Sequence, residues 1–381
     1  MPDGKVPIRT KIFKPGQFEP VEHESKFIIE GILGKGGMGT IYDAYDRNIR
    51  RKVAIKSINE EMSERDINRR YFTKEAQITG QLEHPNIIPV YEMGVNPQGR
   101  LYYVMKRVEG TTLADVLDAI KAGNYETANT YNLGMLLSIF QKVCDAIAYA
   151  HASGVVHLDL KPENIMLGDF GEVLILDWGI ARLRRRSANV DNLLYVTLDD
   201  DVNFSDEFES EQVIGTPAFM APEQATGQSK KIGTRTDVYS LGAILYNILT
   251  LRPPAAGKTT TVIIKKIVTG RVKDPMAFNE ENNLPFDKKV ALLHIAGMKI
   301  PGPLSKICMM AMNEQLGDRY QKVSGMLQDL NAYLSGYTTK AEEAGLLRRA
   351  YLYVWRHKFL FLFIVLLIII NLTAMLLALK N

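Results

Sequence analysis

The stretch Val155-Val156-His157-Leu158-Asp159-Leu160-Lys161-Pro162-Glu163-Asn164 decides the reading of this 381-residue chain. It offers an aspartate, a lysine two residues on and an asparagine five residues on, in a segment that Pro162 keeps out of regular helix. Asp177, thirteen residues after Asn164, stands in Leu174-Ile175-Leu176-Asp177-Trp178-Gly179, an apolar strand that ends in a carboxylate and a glycine. A carboxylate to orient a hydroxyl, an amine to offset phosphate charge, and an amide plus a carboxylate for Mg²⁺ are the parts that phosphoryl transfer requires.

His157-Leu158-Asp159-Leu160-Lys161-Pro162-Glu163-Asn164 followed by Asp177-Trp178-Gly179 resembles the catalytic loop and metal-binding triplet of protein kinases. The resemblance runs from residue 27 to 336. It implies an α+β, two-lobed fold: a β-rich N-lobe over about 27–105, a helical C-lobe over about 109–336, and Ser/Thr-bearing proteins as substrates of ATP-dependent transfer. By the same resemblance Asp159 accepts the substrate hydroxyl proton, Lys161 offsets charge on the transferred group, and Asn164 and Asp177 hold Mg²⁺. Lys161 is similar to the serine/threonine branch, since the tyrosine branch usually carries alanine and arginine in this loop. Leu158 departs from the pattern. Most members carry arginine there to receive a phosphorylated activation-segment residue, which leucine cannot do.

Upstream, Phe27-Ile28-Ile29 leads into Gly34-Lys35-Gly36-Gly37-Met38-Gly39-Thr40-Ile41-Tyr42 and then Lys52-Val53-Ala54-Ile55-Lys56. Glycines at 34, 36 and 39 let a hairpin approach phosphates closely through its N–H groups. Such a motif also occurs in dinucleotide-binding folds, but there a helix follows the glycines, whereas Thr40-Ile41-Tyr42 continues as strand. The run therefore resembles the kinase glycine-rich loop, formed by Leu33, Gly34, Lys35, Gly36, Gly37, Met38 and Gly39. Lys56, 17 residues after Gly39, resembles the lysine that binds the α- and β-phosphates. Its expected partner is Glu75, which shares a helical face with Phe72 and Ile78-Thr79; a carboxylate among apolar residues needs a cation. His84-Pro85-Asn86-Ile87 adds to the match. By resemblance Met105 backs the adenine pocket, the backbones of Lys106 and Val108 meet the adenine edge, and Leu33, Ile41, Ala54 and Met166 form apolar walls. Helical periodicity over 111–122 and about 132–153 is separated by a polar loop, Gly123 to Thr130.

Asp169-Phe170-Gly171 spells the family's metal-binding triplet literally, yet it lies only five residues after Asn164 and reads as a hairpin turn with its carboxylate in solvent. The activation segment runs from Asp177 to Ala221-Pro222-Glu223. It opens with Arg182, Arg184, Arg185 and Arg186 and passes through Asp199-Asp200-Asp201, Asp206, Glu207, Glu209 and Glu211. That acidic half is a candidate to mimic the phosphate that Leu158 cannot receive. Gly215 to Glu223 resembles a peptide-docking end. By resemblance Asp237 braces the catalytic-loop backbone and Arg319 pairs with Glu223. Gly257-Lys258-Thr259 mimics a Walker A ending but lacks the earlier glycine, Arg252 standing there. Residues 271–290 are polar and irregular.

Composition sets further bounds. The chain is 46% hydrophobic and 23% charged, with a net charge of +3 and no basic stripe, which argues against nucleic-acid binding. Two distant cysteines, Cys144 and Cys308, suggest a reducing compartment without a disulfide framework. Residues 1–26 read as an extended lead-in with no signal peptide. Residues 337–358 read as a juxtamembrane linker, and Phe359 to Leu379 is uncharged, which predicts a single transmembrane helix of about 31 Å. Four Lys/Arg flank it on the kinase side, with Tyr351, Tyr353 and Trp355 suited to the interface. That asymmetry predicts a single-pass membrane protein with its kinase domain cytoplasmic. Asn371 and Thr373 can promote pairing of such helices into a homodimer. The rival readings are a pseudokinase that binds ATP as a scaffold, a small-molecule phosphotransferase, and a structural membrane adaptor. The complete set of Lys56, Glu75, Asp159, Lys161, Asn164 and Asp177 opposes the first and last; Gly215 to Glu223 with Arg319 opposes the second.

Overall fold

A computed structural model describes residues 26–179, 181–183, 217–283 and 290–378. The acidic half of the activation segment, its arginines at 184–186, Gly215 and Thr216 lie outside the described residues. The chain divides into two compact units. The first holds residues up to Phe72 together with Val90–Arg107, and the second holds Thr73–Pro89 together with everything from Val108 onward.

The first unit is a five-stranded antiparallel sheet of β1 (Phe27–Lys35), β2 (Gly39–Asp46), β3 (Arg51–Ile58), β4 (Val90–Val95) and β5 (Leu101–Lys106), in the order β1-β2-β3-β5-β4. Alternation along the central strand separates two faces. One face gathers Ala44, Val53, Ile55, Tyr102 and Val104 into a small core, against which Phe27 and Tyr42 pack. Phe27 meets Tyr102 edge to face at 6.4 Å. The other face aligns Ile41, Lys56 and Tyr103 in one cross-strand row and Asp43, Ala54 and Met105 in the next. Helix α1 (Asp66–Gln81) begins in this unit, where Phe72 is fully buried against Tyr103. Its remainder belongs to the second unit. The buried face expected of Phe72, Glu75 and Ile78 is present, with all three nearly inaccessible.

The second unit is mainly helical. It contains β6 (Gly110–Thr112), α2 (Leu113–Lys121), α3 (Tyr125–Thr130), α4 (Leu133–Ala152), β7 (Val155–Val156), β8 (Ile165–Gly168), β9 (Val173–Ile175) and β10 (Arg182–Leu183). There follow α5 (Pro222–Ala225), α6 (Thr234–Thr250), α7 (Thr260–Val268), α8 (Gly302–Ala311), α9 (Val323–Leu334), α10 (Leu346–Arg356) and α11 (Lys358–Ala378). Helix α4 is long and apolar, and half of that apolar stretch is buried in this unit's core. Helix α6 is buried nearly all round. A Cβ at Gly242 would come within 2.8 Å of the Ala311 Cβ, so glycine sets the close approach of α6 to α8. Two short sheets, β6-β8-β9 and β7-β10, carry the loops of interest. The His84–Ile88 segment runs beside β9: Ile175 donates to the Asn86 carbonyl at 2.9 Å and Ile88 donates to Ile175 at 3.1 Å.

Three local readings change. The polar stretch 123–130 is not all loop, because Asn124 caps α3 by accepting the Thr127 N–H at 3.0 Å. Six residues are too few for helical periodicity to register. Part of 271–290 is a 3₁₀ run, Pro275–Asn283. The supposed linker 337–358 contains α10 and is tied to the body: Asp329 accepts the N–H groups of Lys340 and Ala341 at 2.6 and 2.9 Å.

Candidate active site

In the first unit the glycine-rich stretch is the β1–β2 turn, with Lys35 opposite Thr40 and Gly34 opposite Ile41. Its glycines have different reasons to be there. A Cβ at Gly39 would lie 2.6 Å from the Ser57 carbonyl oxygen, so packing of β2 on β3 requires glycine. Gly34 and Gly37 have nothing within 4 Å of where a Cβ would stand, Gly36 meets only the Gly39 carbonyl at 3.6 Å, and none has a positive φ. Neither crowding nor backbone conformation in this unit accounts for them. Open space at these positions is what close approach of a ligand would require. Asn59 holds the turn, and nothing in the sequence pointed to it. Its N–H donates to the Met38 carbonyl at 3.1 Å, its Nδ2 donates to the Gly36 carbonyl at 3.1 Å, and its Oδ1 accepts from the Thr40 hydroxyl at 3.0 Å.

The same sheet face brings Ile41, Ala54, Lys56 and Met105 together, with Ala54 directly opposite Met105 and Val53 opposite Lys106. The Lys56 ammonium stands 5.8 Å from the Tyr103 ring centre. Leu33, on edge strand β1, is 47% exposed and is not part of the small core.

In the second unit the catalytic loop leaves β7 and closes with a 3₁₀ turn at Pro162–Asn164. Asp159 is held from several directions. The Lys161 ammonium donates to its Oδ2 at 2.8 Å, and Asn164 Nδ2 donates to its carbonyl at 2.9 Å and its Oδ2 at 3.3 Å. The Asp159 N–H donates to His157 Nδ1 at 3.2 Å. His157 is fully buried, 4.4 Å from the Trp178 ring, and burial holds its imidazole below the ordinary histidine range despite the nearby aspartates. It is therefore neutral near pH 7, as an Nδ1 acceptor must be.

The loop backbone is braced as expected. Asp237, fully buried on α6, accepts the His157 N–H at 2.8 Å and the Leu158 N–H at 2.9 Å, and lies 2.7 Å from His151 Nε2. Leu158 itself is buried with φ at +70°, a left-handed conformation that leucine seldom takes. Its carbonyl accepts from Gln224 Nε2 at 2.7 Å. Gln224 had no sequence signal beyond its place after Glu223.

Asn164 and Asp177 come together because β8 pairs with β9. Ile165 faces Ile175, and Leu176 donates to the Asn164 carbonyl at 2.8 Å. Since the Asn164 amide nitrogen serves Asp159, its oxygen is the end suited to a cation. Asp177 is exposed, with φ at +55°, and its Oδ1 accepts the Gly179 N–H at 3.2 Å. A Cβ on Gly179 would lie 3.1 Å from Asp177 Oδ1 and 3.3 Å from Glu75 Oε2, so two carboxylates flank one glycine. An amide oxygen and clustered carboxylates are hard donors that fit Mg²⁺. Met166 lies opposite Thr112 in the β6–β8 pair, and Val108 precedes β6. Lys56 and Glu75 belong to different units.

The literal triplet Asp169-Phe170-Gly171 is the β8–β9 turn, as its position suggested. Phe170 is 94% exposed, Gly171 has φ at +82°, and Lys142 donates to the Gly171 carbonyl at 3.0 Å. At the far end of the activation segment Glu223 and Arg319 form a buried two-pronged pair, with both N–O distances 2.9 Å, and Thr236 donates to the same carboxylate at 2.9 Å.

A family model described as the protein kinase domain matches residues 27–330. Serine/threonine-protein kinase PknD of Protochlamydia amoebophila (strain UWE25) is 36% identical over 321 residues, which is 83% of this chain and 30% of that protein. PknD of Chlamydia pneumoniae is 35% identical over 319 residues, 82% of this chain and 31% of its own length. The chain thus spans less than a third of the curated relatives it matches. It belongs to the protein kinase family.

Proposed function

We propose that this chain is a membrane-anchored signalling kinase that moves the γ-phosphoryl group of ATP to serine or threonine hydroxyls of proteins. The observation that carries the reading is the constraint on Asp159, whose carboxylate and backbone are engaged by His157, Lys161 and Asn164. The substrate oxygen forms a bond to the γ-phosphorus, the bond from that phosphorus to the bridging oxygen breaks, and ADP leaves. Asp159 orients the hydroxyl and accepts its proton; Lys161 offsets charge on the transferred group. Lys56 grips the α- and β-phosphates, and the backbone of Gly34, Lys35, Gly36, Gly37, Met38 and Gly39 donates to them. Leu33, Ile41 and Ala54 supply apolar walls for the adenine, whose edge meets the backbone of Lys106. Asn164 and Asp177 would hold Mg²⁺, which neutralises phosphate charge when bound.

Membrane attachment rests on α11, a helix of 21 residues that would extend about 31 Å. Its side chains from Phe359 to Thr373, where described, are exposed in the isolated chain. Water is a poor solvent for such a surface, and a bilayer core is a good one. The basic residues before it favour a cytoplasmic kinase domain, and pairing through Asn371 into a homodimer extends the same reading.

The test is transfer from labelled ATP by the full chain in vesicles, with Mg²⁺ and a basic protein acceptor, beside Asp159→Asn and Asp177→Asn. We expect each substitution to lower transfer by 100-fold or more, about 3 kcal/mol of transition-state stabilisation. Nucleotide binding by the wild type without transfer would overturn the enzyme reading in favour of a scaffold.

A further inference from the structure

Helix α10 is amphipathic in an inverted sense. Leu346, Leu347, Ala350, Tyr351 and Val354 fall within an arc of roughly 140° at the helical period, bordered by Trp355 and Tyr353. A helix on the surface of a soluble domain turns such a stripe inward. Here the stripe faces out: Leu346 is 83% exposed, Leu347 89%, and Trp355 63%. The opposite side meets the body. Arg356 donates to the Gly336 carbonyl at 2.8 Å with its guanidinium 3.9 Å over the Tyr337 ring, Arg348 meets Glu342 at 3.4 Å, and Leu352 is half-buried. At His357 the chain turns by 84° into α11.

We infer that α10 is an in-plane membrane helix, lying in the headgroup region of an anionic bilayer with its apolar arc in the acyl chains. The inference rests on the reading of α11 as a membrane span. Three observations select a bilayer as the occupant of the bare face. The face continues, through a near-right-angle turn, into α11, which is uncharged from Phe359 onward. The aromatic residues Tyr351, Tyr353 and Trp355 are of the amphipathic type that settles at headgroup depth. Arg349 and Lys358, both exposed beside that face, are placed to meet lipid phosphates. The consequence is mechanical. Arg356 fastens α10 to the segment after α9, and Asp329 fastens the Lys340–Ala341 turn, so the helical unit is held against the membrane at a set orientation and does not swing on a tether.

The chain carries its own probe. Its two tryptophans are Trp178, wholly buried in the second unit, and Trp355, so a quencher carried by lipid reports on Trp355. Full-length protein would be reconstituted into phosphatidylcholine–phosphatidylglycerol vesicles containing lipids brominated at shallow or deep acyl positions. The inference expects a blue-shifted Trp355 emission, quenched more by shallow than by deep bromines. It also expects Leu347→Glu with Tyr351→Glu to abolish that quenching while the protein still floats with the vesicles. Flotation with Trp355 open to aqueous iodide and untouched by brominated lipid would overturn it, and crosslinks between α10 helices would then assign the face to a second copy. Failure of the wild type to float would instead remove the membrane reading of α11, and this inference with it.

Discussion

At the scale of the residue, Leu158 concentrates the argument. A buried leucine at φ +70° costs about 1–2 kcal/mol, and such a conformation persists only where its surroundings over-determine it. Asp237 holds its N–H and Gln224 holds its carbonyl, one residue before Asp159. Gln224 is thus a positioning residue that links the docking end of the activation segment to the catalytic loop. Gln224→Leu should lower kcat roughly five- to tenfold, the value of one buried hydrogen bond, and leave the KM for ATP unchanged. Leu158→Gly, which adopts this φ without strain, should recover part of the loss. Steady-state kinetics of the two single variants and the double variant decide it; a loss of equal size in the glycine background would count against the strain account. The motif around Leu158 could be read directly from the chain, because it is contiguous. The Gln224 contact could not, because 66 residues separate its partners.

At the scale of the element, the β1–β2 turn divides what sequence shows from what it hides. Its glycines announce a close approach, but only the fold separates Gly39, required by the Ser57 carbonyl, from Gly34, Gly36 and Gly37, which leave open space. Asn59 sits two strands later and binds the turn through main-chain oxygens, which leave no pattern in the sequence. Asn59→Ala removes the side-chain bonds to Gly36 and Thr40 while sparing the N–H to Met38. With each bond worth about 1 kcal/mol, the KM for ATP should rise roughly fivefold or more with kcat little altered. Titrating ATP in the transfer assay checks this, and an unchanged KM would show that the turn holds its shape without Asn59. Helix α10 shows the same limit. Its apolar and basic residues were visible in the sequence, but which side faces out depends on where Arg356 and Leu352 dock.

At the scale of the whole molecule, stability should depend on acid through His294. Burial holds its imidazole down at about 4, while Nε2 bonds to the Ile248 carbonyl at 2.8 Å and Nδ1 is buried with no partner among the described residues. The unfolded chain takes up this proton near pH 6.5 and the folded one only near pH 4, so the unfolded state binds more protons in between. Stability is therefore intact above pH 6.5 and falls as pH drops from 6.5 towards 4, by on the order of 3 kcal/mol. His294→Gln should flatten that slope in denaturant titrations at a series of pH values; an unchanged slope would assign the acid sensitivity to other groups. The sequence by itself determined the family and the two-part organisation, because short motifs with fixed spacing encode local loops and strand ends. It also placed Asp169-Phe170-Gly171 in a hairpin turn by its position alone. Only the tertiary structure decided how Asp159 is held, why Leu158 can sit in a left-handed conformation, that residues 73–89 group with the helical unit, and that Leu346–Arg356 is a helix fastened through Arg356. Those outcomes depend on hydrogen bonds and packing between residues tens of positions apart, and the contacts of a folded chain are not ordered along its length.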